Sequence, residues 1–198
     1  MSRWGATFLP YVGGSSPIFV RRVGFVALLF SGLYVVSDVI EVLQGGFSDL
    51  QLALTLVSEA AVPVFVVGLY LVQRPKISRL GLVSAIAYAY SYVFFTATVI
   101  YAIVHSTTSY SALTAQLGVA MTAHGAVMVA AGLGFGVAVL RAGVLPAWTG
   151  VALMMGVIAV ALTQTAPEGI QLAAAGVRAA GFAGMGLALL LAPREGTR

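Results

Sequence analysis

Long apolar stretches alternate with short polar ones along the whole chain. A hydrocarbon core about 30 Å thick needs roughly 20 apolar helical residues for each crossing. Six stretches approach that length, and they run over Val23–Leu43, Leu52–Val72, Leu80–Val104, Ala115–Leu140, Trp148–Thr163 and Gly169–Ala192. The pattern therefore predicts an all-α, polytopic integral membrane protein with six transmembrane helices arranged as three hairpins.

The polar segments between these stretches differ in their basic residues. Segments 44–50, 105–114 and 164–168 contain no Lys or Arg. The basic residues on the other side are Arg3, Arg21, Arg22, Arg74, Lys76, Arg79, Arg141, Arg194 and Arg198. Because cytoplasmic segments carry the excess of Lys and Arg, we expect both termini in the cytoplasm. We divide the chain into a cytoplasmic lead-in (1–22), a six-helix domain of the cell membrane (23–193) and a cytoplasmic tail (194–198).

Composition supports the membrane interpretation and excludes several classes. The chain is 60% hydrophobic and 8% charged, with a mean hydropathy of +1.02, which is too apolar for a water-soluble domain. The absence of cysteine excludes disulfides, thiolate catalysis and Cys-ligated metals. The net charge of +4 comes from scattered basic residues without a basic patch, so we expect no nucleic-acid partner.

Acidic residues inside the predicted spans are the first candidates for function, because a charged group at membrane depth is costly and needs a partner or a role. On the first span Ser31, Tyr34, Asp38 and Glu41 fall on one helical face. Such a polar face is expected to lie against protein. Glu41 is close enough to the outer interface to be simply hydrated, whereas Asp38 and, on the second span, Glu59 lie deeper.

Arg178 on the last span is the obvious partner for one of these acids, and Glu59 matches it best in depth. One interpretation is a structural clamp, in which the Glu59–Arg178 pair neutralises both charges and fixes helix packing. However, one arginine cannot neutralise two acids. The unpaired acid, Asp38 or Glu59, would then favour its neutral, proton-donating form in a low-dielectric site.

His124 is the only histidine within a span. It fits either a hydrogen-bonded core residue or, with Asp38, Glu41 and Glu59, a carboxylate-rich metal site. Neither an E-x-x-H nor an H-E-x-x-H spacing occurs. We therefore assign no metal and no cofactor, and keep His124 as a candidate catalytic residue.

The third span is rich in tyrosine and phenylalanine. One helical face carries Tyr88, Tyr92 and Phe95, and roughly the opposite face carries Tyr90, Phe94 and Tyr101. Ordinary packing explains such residues. The functional alternative is a π-rich wall beside an acid, which can stabilise a cation in a dry cavity.

In size, all-helical spans, Ala/Gly/Val-rich composition and intramembrane acids such as Asp38 and Glu59, the chain resembles the small actinobacterial membrane-bound terpene cyclases that make drimane-type and indole-sesquiterpene skeletons. The D-x-D-D acid motif of soluble class II cyclases is absent. The resemblance implies proton-initiated cyclisation of a prenyl or terpenoid substrate within the membrane. The predicted catalytic residues are Asp38, Glu59, Arg178 and His124, and the predicted substrate-binding residues are Tyr34, Tyr88, Tyr92 and Phe95.

The alternative is a protein without catalytic activity. A small transporter, or a lipid-binding or scaffold protein held together by the Glu59–Arg178 clamp, accounts for the same residues. In either case the expected partner is a lipid-like small molecule, and the sequence assigns no oligomeric state.

Overall fold

The computed structural model describes residues 15–192, and the chain in this range is all-helical. Its seven helices are α1 (Pro17–Gln44), α2 (Asp49–Val72), α3 (Arg79–Val104), α4 (Tyr110–Leu117), α5 (Val119–Ala142), α6 (Ala147–Leu162) and α7 (Glu168–Leu191). Most of the predicted lead-in and the predicted tail lie outside the described residues.

Five of the helices, α1, α2, α3, α5 and α7, are long and apolar enough to cross a membrane. The remaining long helix, α6, is apolar but has only 16 residues, which corresponds to about 24 Å at a rise of 1.5 Å per residue. The structure thus supports a multi-pass membrane protein.

Local chemistry sets several helix ends. Ser16, Ser48 and Ser109 precede α1, α2 and α4, and each hydroxyl accepts a hydrogen bond from a backbone N–H of the first turn. Gly45 ends α1 in the left-handed conformation, with its N–H bonded to the Glu41 carbonyl. Polar residues that were expected in loops therefore act as helix caps.

The predicted fourth span differs from the structure at its start. The sequence pattern runs apolar from Ala115, but the helix is interrupted at Gly118, which has φ +49° and ψ −121°. This conformation strongly favours glycine because it has no Cβ. The chain therefore forms a separate short helix, α4, across the end of the predicted loop and the start of the predicted fourth span, and the long helix α5 begins only at Val119.

The six long helices contact one another in a closed cyclic order, α1–α2–α3–α5–α6–α7 and back to α1. One half of the ring interior is filled by an apolar core that includes Phe65, Tyr88, Phe135, Leu153 and Met185. Large apolar side chains also cover the outside, for example Val64, Val83 and Met155, which are all exposed. Such a surface suits lipid rather than water. The other half of the interior remains open, and it forms the cavity described below.

Candidate functional site

A cavity of about 870 Å³ lies inside the helix ring, within the usual volume range of small-molecule sites. It lies toward the end of the bundle where α1, α3 and α6 end and α2, α5 and α7 begin. Most of its wall is apolar, including Leu52, Val99, Met121 and Leu133. The charged residues of the wall are Asp38, Glu41, Glu59, Glu168 and Arg178.

Helical spacing on α1 and α2 directs two polar rows into this cavity. Tyr34, Asp38 and Glu41 repeat at intervals of four and three residues on α1, and all three line the cavity. Gln51, Thr55 and Glu59 repeat at intervals of four on α2 and line the same wall. The face that the sequence predicted to lie against protein therefore borders a cavity as well.

Hydrogen bonds join the two rows near the cavity mouth. Gln51 Nε2 donates to Glu41 Oε2 at 3.1 Å and to Thr55 Oγ1 at 3.0 Å. Ser37 Oγ donates to the Gln51 carbonyl at 3.0 Å and also bonds Thr55 Oγ1. Glu41 is therefore part of an ordered α1–α2 network, more than the simply hydrated loop-end acid that its position suggested.

Glu59 lies deeper and is 6% exposed. The Tyr34 hydroxyl donates a long hydrogen bond of 3.4 Å to Glu59 Oε1. Within residues 15–192, Glu59 Oε2 has no hydrogen-bond partner, although buried polar atoms are normally paired. One carboxyl oxygen is thus held by Tyr34, and the other is buried without a hydrogen bond to any residue of the described range.

Arg178 lies at the inner end of the cavity and is also buried. Its Cζ lies 5.1 Å from the centroid of the Tyr34 ring and 5.9 Å from that of the Tyr92 ring, close enough for cation–π attraction. Its Nη1 contacts Met128 Sδ at 3.7 Å. Since Glu59 Oε1 pairs with Tyr34 and Oε2 with nothing, the direct hydrogen bond that a Glu59–Arg178 clamp requires is not formed.

The position of Arg178 is set by close helix packing. The Cα of Gly156 on α6 lies against the backbone of Arg178, so that a Cβ at position 156 would overlap the Arg178 N and Cα atoms. α6 and α7 therefore approach closely at this point. Gly156 therefore sets the distance between α6 and α7, and with it the position of the Arg178 guanidinium in the cavity.

The aromatic residues of α3 divide between wall and core. Tyr92 and Phe95 line the cavity, and Tyr92 stacks on Tyr88 with ring centroids 5.2 Å apart. Tyr88 itself is completely buried outside the cavity wall, with its ring edge-on to Phe182. Tyr88 thus supports Tyr92 from outside the cavity wall, and its predicted contact with a substrate stays a prediction.

His124 is separated from the other candidate residues. Its ring stacks on Phe94 at 3.7 Å, and its Nε2 lies 3.1 Å from the hydroxyl of Tyr90, which is 58% exposed. The residue is absent from the cavity wall, because Tyr90 and Phe94 occupy the outward face of α3. His124 is therefore not among the residues that the structure brings together at the cavity, and its catalytic role stays a prediction. No three His, Asp or Glu side chains within residues 15–192 come together as a metal site.

Sequence reasoning missed the helix that covers the cavity mouth. Leu113 of α4 packs with Leu52, Val99 and Ala102 of α2 and α3, and Tyr110, Leu113 and Thr114 line the cavity. The Tyr110 hydroxyl also reaches Gln164 Oε1 at 3.4 Å. The signal was present in Ser109, a good helix cap, followed by a short segment ending at Gly118.

No protein-family model, no curated protein and no solved structure matches the chain.

Proposed function

We propose that the chain crosses the membrane six times, as three hairpins, with both termini in the cytoplasm and the cavity mouth on the outer side. Helix α6 closes the ring between α5 and α7, and crossing there with 16 residues requires local thinning of the bilayer or snorkelling of flanking groups. The basic residues Arg21, Arg74 and Arg141 lie at the end of the bundle away from the mouth, which supports this orientation.

We further propose that the protein is an intramembrane enzyme that protonates a lipid-like alkene or epoxide and cyclises it, a reaction of the class II terpene cyclase type. The observation that carries the proposal is a single apolar cavity lined by Asp38, Glu59 and Arg178 together with Tyr92 and Phe95. Acid, counter-charge and aromatic wall are the parts that such a reaction needs.

Glu59 is the proton donor in this scheme. Tyr34 holds Oε1, while Oε2 has no hydrogen-bond partner among the described residues, so in this scheme we assign the acid proton to Oε2. The substrate π electrons form a C–H bond with this proton as the O–H bond breaks, leaving a carboxylate and a carbocation; an epoxide oxygen can take the proton instead. A second alkene of the substrate attacks the cation and closes a ring. Loss of a proton from carbon to the Glu59 carboxylate then regenerates the acid, so an alkene substrate is isomerised overall.

The proposed charge states keep the cavity balanced during the reaction. At rest the Asp38 carboxylate offsets the Arg178 guanidinium, and Glu59 is neutral. After proton transfer the Glu59 carboxylate offsets the carbocation. Because Arg178 already lies beside Tyr34 and Tyr92, Phe95 is the ring of the wall best suited to face the carbocation.

Expression in a host that supplies prenyl precursors tests the enzyme directly. We expect new terpenoids in organic extracts of cells that make the wild-type chain, and loss of these products in Glu59→Gln and Asp38→Asn at equal amounts of membrane-inserted protein. Asp49→Asn is the matched control, because Asp49 is exposed at the same end of the bundle and is not part of the cavity wall. Products that persist in Glu59→Gln contradict the assignment of the donor.

The second candidate, a lipid-binding protein without chemistry, uses the same cavity, whose volume and apolar wall suit a lipid-like molecule. The two functions differ in what is recovered from the purified protein. An enzyme yields a converted product, whereas a binding protein yields an unchanged cellular lipid from the wild type and from Glu59→Gln alike. Acid-dependent proton or solute flux in liposomes would instead identify a transporter.

A further inference from the structure

The mouth of the cavity has a pronounced charge imbalance. Glu41 at the end of α1 and Glu168 at the start of α7 both belong to the cavity wall, and among residues 15–192 the wall contains no Lys and no Arg other than the deep Arg178. The loop segments around the mouth, 44–50, 105–114 and 164–168, also lack Lys and Arg. An apolar, low-dielectric wall strengthens the field of such charges, so the mouth attracts cations and repels anions.

A second observation at the mouth points to a hydrogen-bond donor. Gln51 is 2% exposed and lines the cavity. Its Nε2 donates to Glu41 and Thr55, whereas its Oε1 has no hydrogen-bond partner in the part of the chain that the structure describes. A buried amide oxygen without a donor is costly. A ligand group with several N–H donors can satisfy this oxygen and the Glu41 carboxylate together.

The cavity below the mouth has the apolar chemistry of a site for a lipid chain. Its wall between Glu41 and Arg178 is formed mainly by aliphatic and aromatic residues such as Leu52, Val99, Phe95 and Val129. A chain that enters from the mouth leaves its polar end among Glu41, Gln51 and Glu168. The acid chemistry proposed for Glu59 takes place deeper and does not use these mouth residues.

We propose that the cavity mouth binds the positively charged head group of a lipophilic amine, with the hydrocarbon chain of that amine inside the cavity. An alkylammonium group carries three donors and stays charged at neutral pH. It therefore complements two carboxylates and an unpaired amide oxygen. A diphosphate or carboxylate head group meets only like charge at the same place.

The test compares three molecules with one hydrocarbon chain and different head charges: farnesylamine, farnesol and farnesoate. The protein is purified in nanodiscs of uncharged zwitterionic lipid, and the apparent dissociation constant is taken from the concentration dependence of the unfolding temperature. We expect farnesylamine to bind about tenfold more tightly than farnesol, as expected for two partly exposed ion pairs, and farnesoate to bind most weakly. The advantage of the amine decreases at high salt.

Variants separate the mouth from other acidic positions. We expect Glu41→Gln/Glu168→Gln to bind farnesylamine and farnesol equally, whereas Asp49→Asn retains the preference of the wild type. Glu168 is exposed, so Glu168→Gln alone replaces the double variant if that variant does not fold. We expect this single variant to lose part of the preference for farnesylamine over farnesol. Each probe partitions into the lipid to the same extent whichever variant is present. A difference in apparent dissociation constant between variants therefore reports binding to the protein.

Equal binding of amine and alcohol by the wild type would overturn the inference, as would a preference that survives in the double variant. Either result leaves the proposed cyclisation intact if terpenoids are still produced. Conversely, a protein that prefers farnesylamine through Glu41 and Glu168 but makes no terpenoid supports the binding site and refutes the enzyme.

Discussion

Tyr34 of α1 and Glu59 of α2 meet across the helix interface, with the tyrosine hydroxyl donating to Glu59 Oε1 at 3.4 Å. The contact joins residues 25 positions apart and leaves Glu59 Oε2 as an unpaired buried atom. Both residues line the cavity that α4 covers. This pair is therefore central to the architecture as well as to the proposed chemistry.

Removing the tyrosine hydroxyl tests the structural part of that pair. We expect Tyr34→Phe to lower the free energy of unfolding by about 1 kcal/mol, because both oxygens of a buried carboxyl then lack a partner. Thermal or denaturant unfolding in detergent measures the change. Tyr101→Phe is the matched control, since Tyr101 is only partly buried on α3 and its hydroxyl bonds no residue within 15–192, so the substitution should cost less than about 0.5 kcal/mol. Equal effects of the two variants would contradict the importance of the Tyr34 contact.

Double-mutant cycles distinguish direct contacts from shared surroundings. The hydrogen bond from Tyr34 to Glu59 predicts a coupling energy of about 0.5 kcal/mol or more for the cycle of Tyr34→Phe and Glu59→Gln. Glu59 and Arg178 share the cavity without a hydrogen bond, so the cycle of Glu59→Gln and Arg178→Gln is expected to give a smaller value. Unfolding of the single and double variants supplies both energies. If the double variant recovers most of the stability that Glu59→Gln and Arg178→Gln lose singly, the interpretation of this pair as a structural clamp would be supported.

The contact between Gly156 and Arg178 predicts a large effect from one methyl group. Gly156→Ala places a Cβ against the backbone of α7 and should destabilise the protein by about 1–3 kcal/mol through overpacking. It should also weaken the binding of farnesylamine and farnesol, because it displaces the Arg178 guanidinium in the cavity. Gly176→Ala on α7 is the matched control, because a Cβ there meets open space. Unfolding and ligand titration of the two variants provide the comparison, and a neutral Gly156→Ala would refute the close approach.

Gly118 is expected to control the helix over the cavity mouth. Gly118→Ala meets no steric neighbour, so its cost is conformational, about 1–3 kcal/mol for a residue forced to keep a sparsely populated backbone conformation. The substitution should loosen α4, and hydrogen exchange of the α4 amides should accelerate. Gly32→Ala within α1, also without a neighbour, should instead be neutral or slightly stabilising, as expected for a helical glycine. Unchanged exchange in α4 would show that Gly118 is not the determinant.

The histidine provides a test of the cavity boundary. Because His124 packs against Phe94 and Tyr90 on the outside of α3, we expect His124→Ala to leave product formation and farnesylamine binding within about twofold of the wild type, since it removes no group from the cavity wall. Met128→Ala on the same helix is the contrast, because Met128 contacts Arg178 and lines the cavity. Loss of product formation or of farnesylamine binding in His124→Ala but not in Met128→Ala would indicate that His124 takes part in the functional site.

Periodicity separated the aromatic residues of α3 into two faces, and the structure shows which of the two is inward. Tyr88 and Tyr92 are buried while Tyr90 is 58% exposed, as the helical spacing of the aromatic residues allows. The same spacing could not separate Tyr92, which lines the cavity, from Tyr88, which lies in the core one turn away. That distinction depends on where Phe182 of α7 fills the ring interior.

The pairing of charges was less predictable than the helices. Depth along the spans suggested Arg178 as the partner of Glu59, since both are intramembrane and of opposite charge. In the structure Glu59 accepts a hydrogen bond from Tyr34, and Arg178 lies beside the rings of Tyr34 and Tyr92. Depth is a property of one helix, whereas pairing also depends on the rotation and separation of two helices, which no single span encodes.

The amino-acid sequence by itself determined that the chain is helical and built for a lipid environment, because the length and hydropathy of a span are local properties. It also determined the polar faces of α1 and α2, since the helical period follows from backbone geometry. Only the tertiary structure decided that six helices close a ring around one cavity, that α4 covers it and that His124 lies outside. These outcomes depend on contacts between residues far apart in the chain, which arise from packing and from backbone breaks such as Gly118.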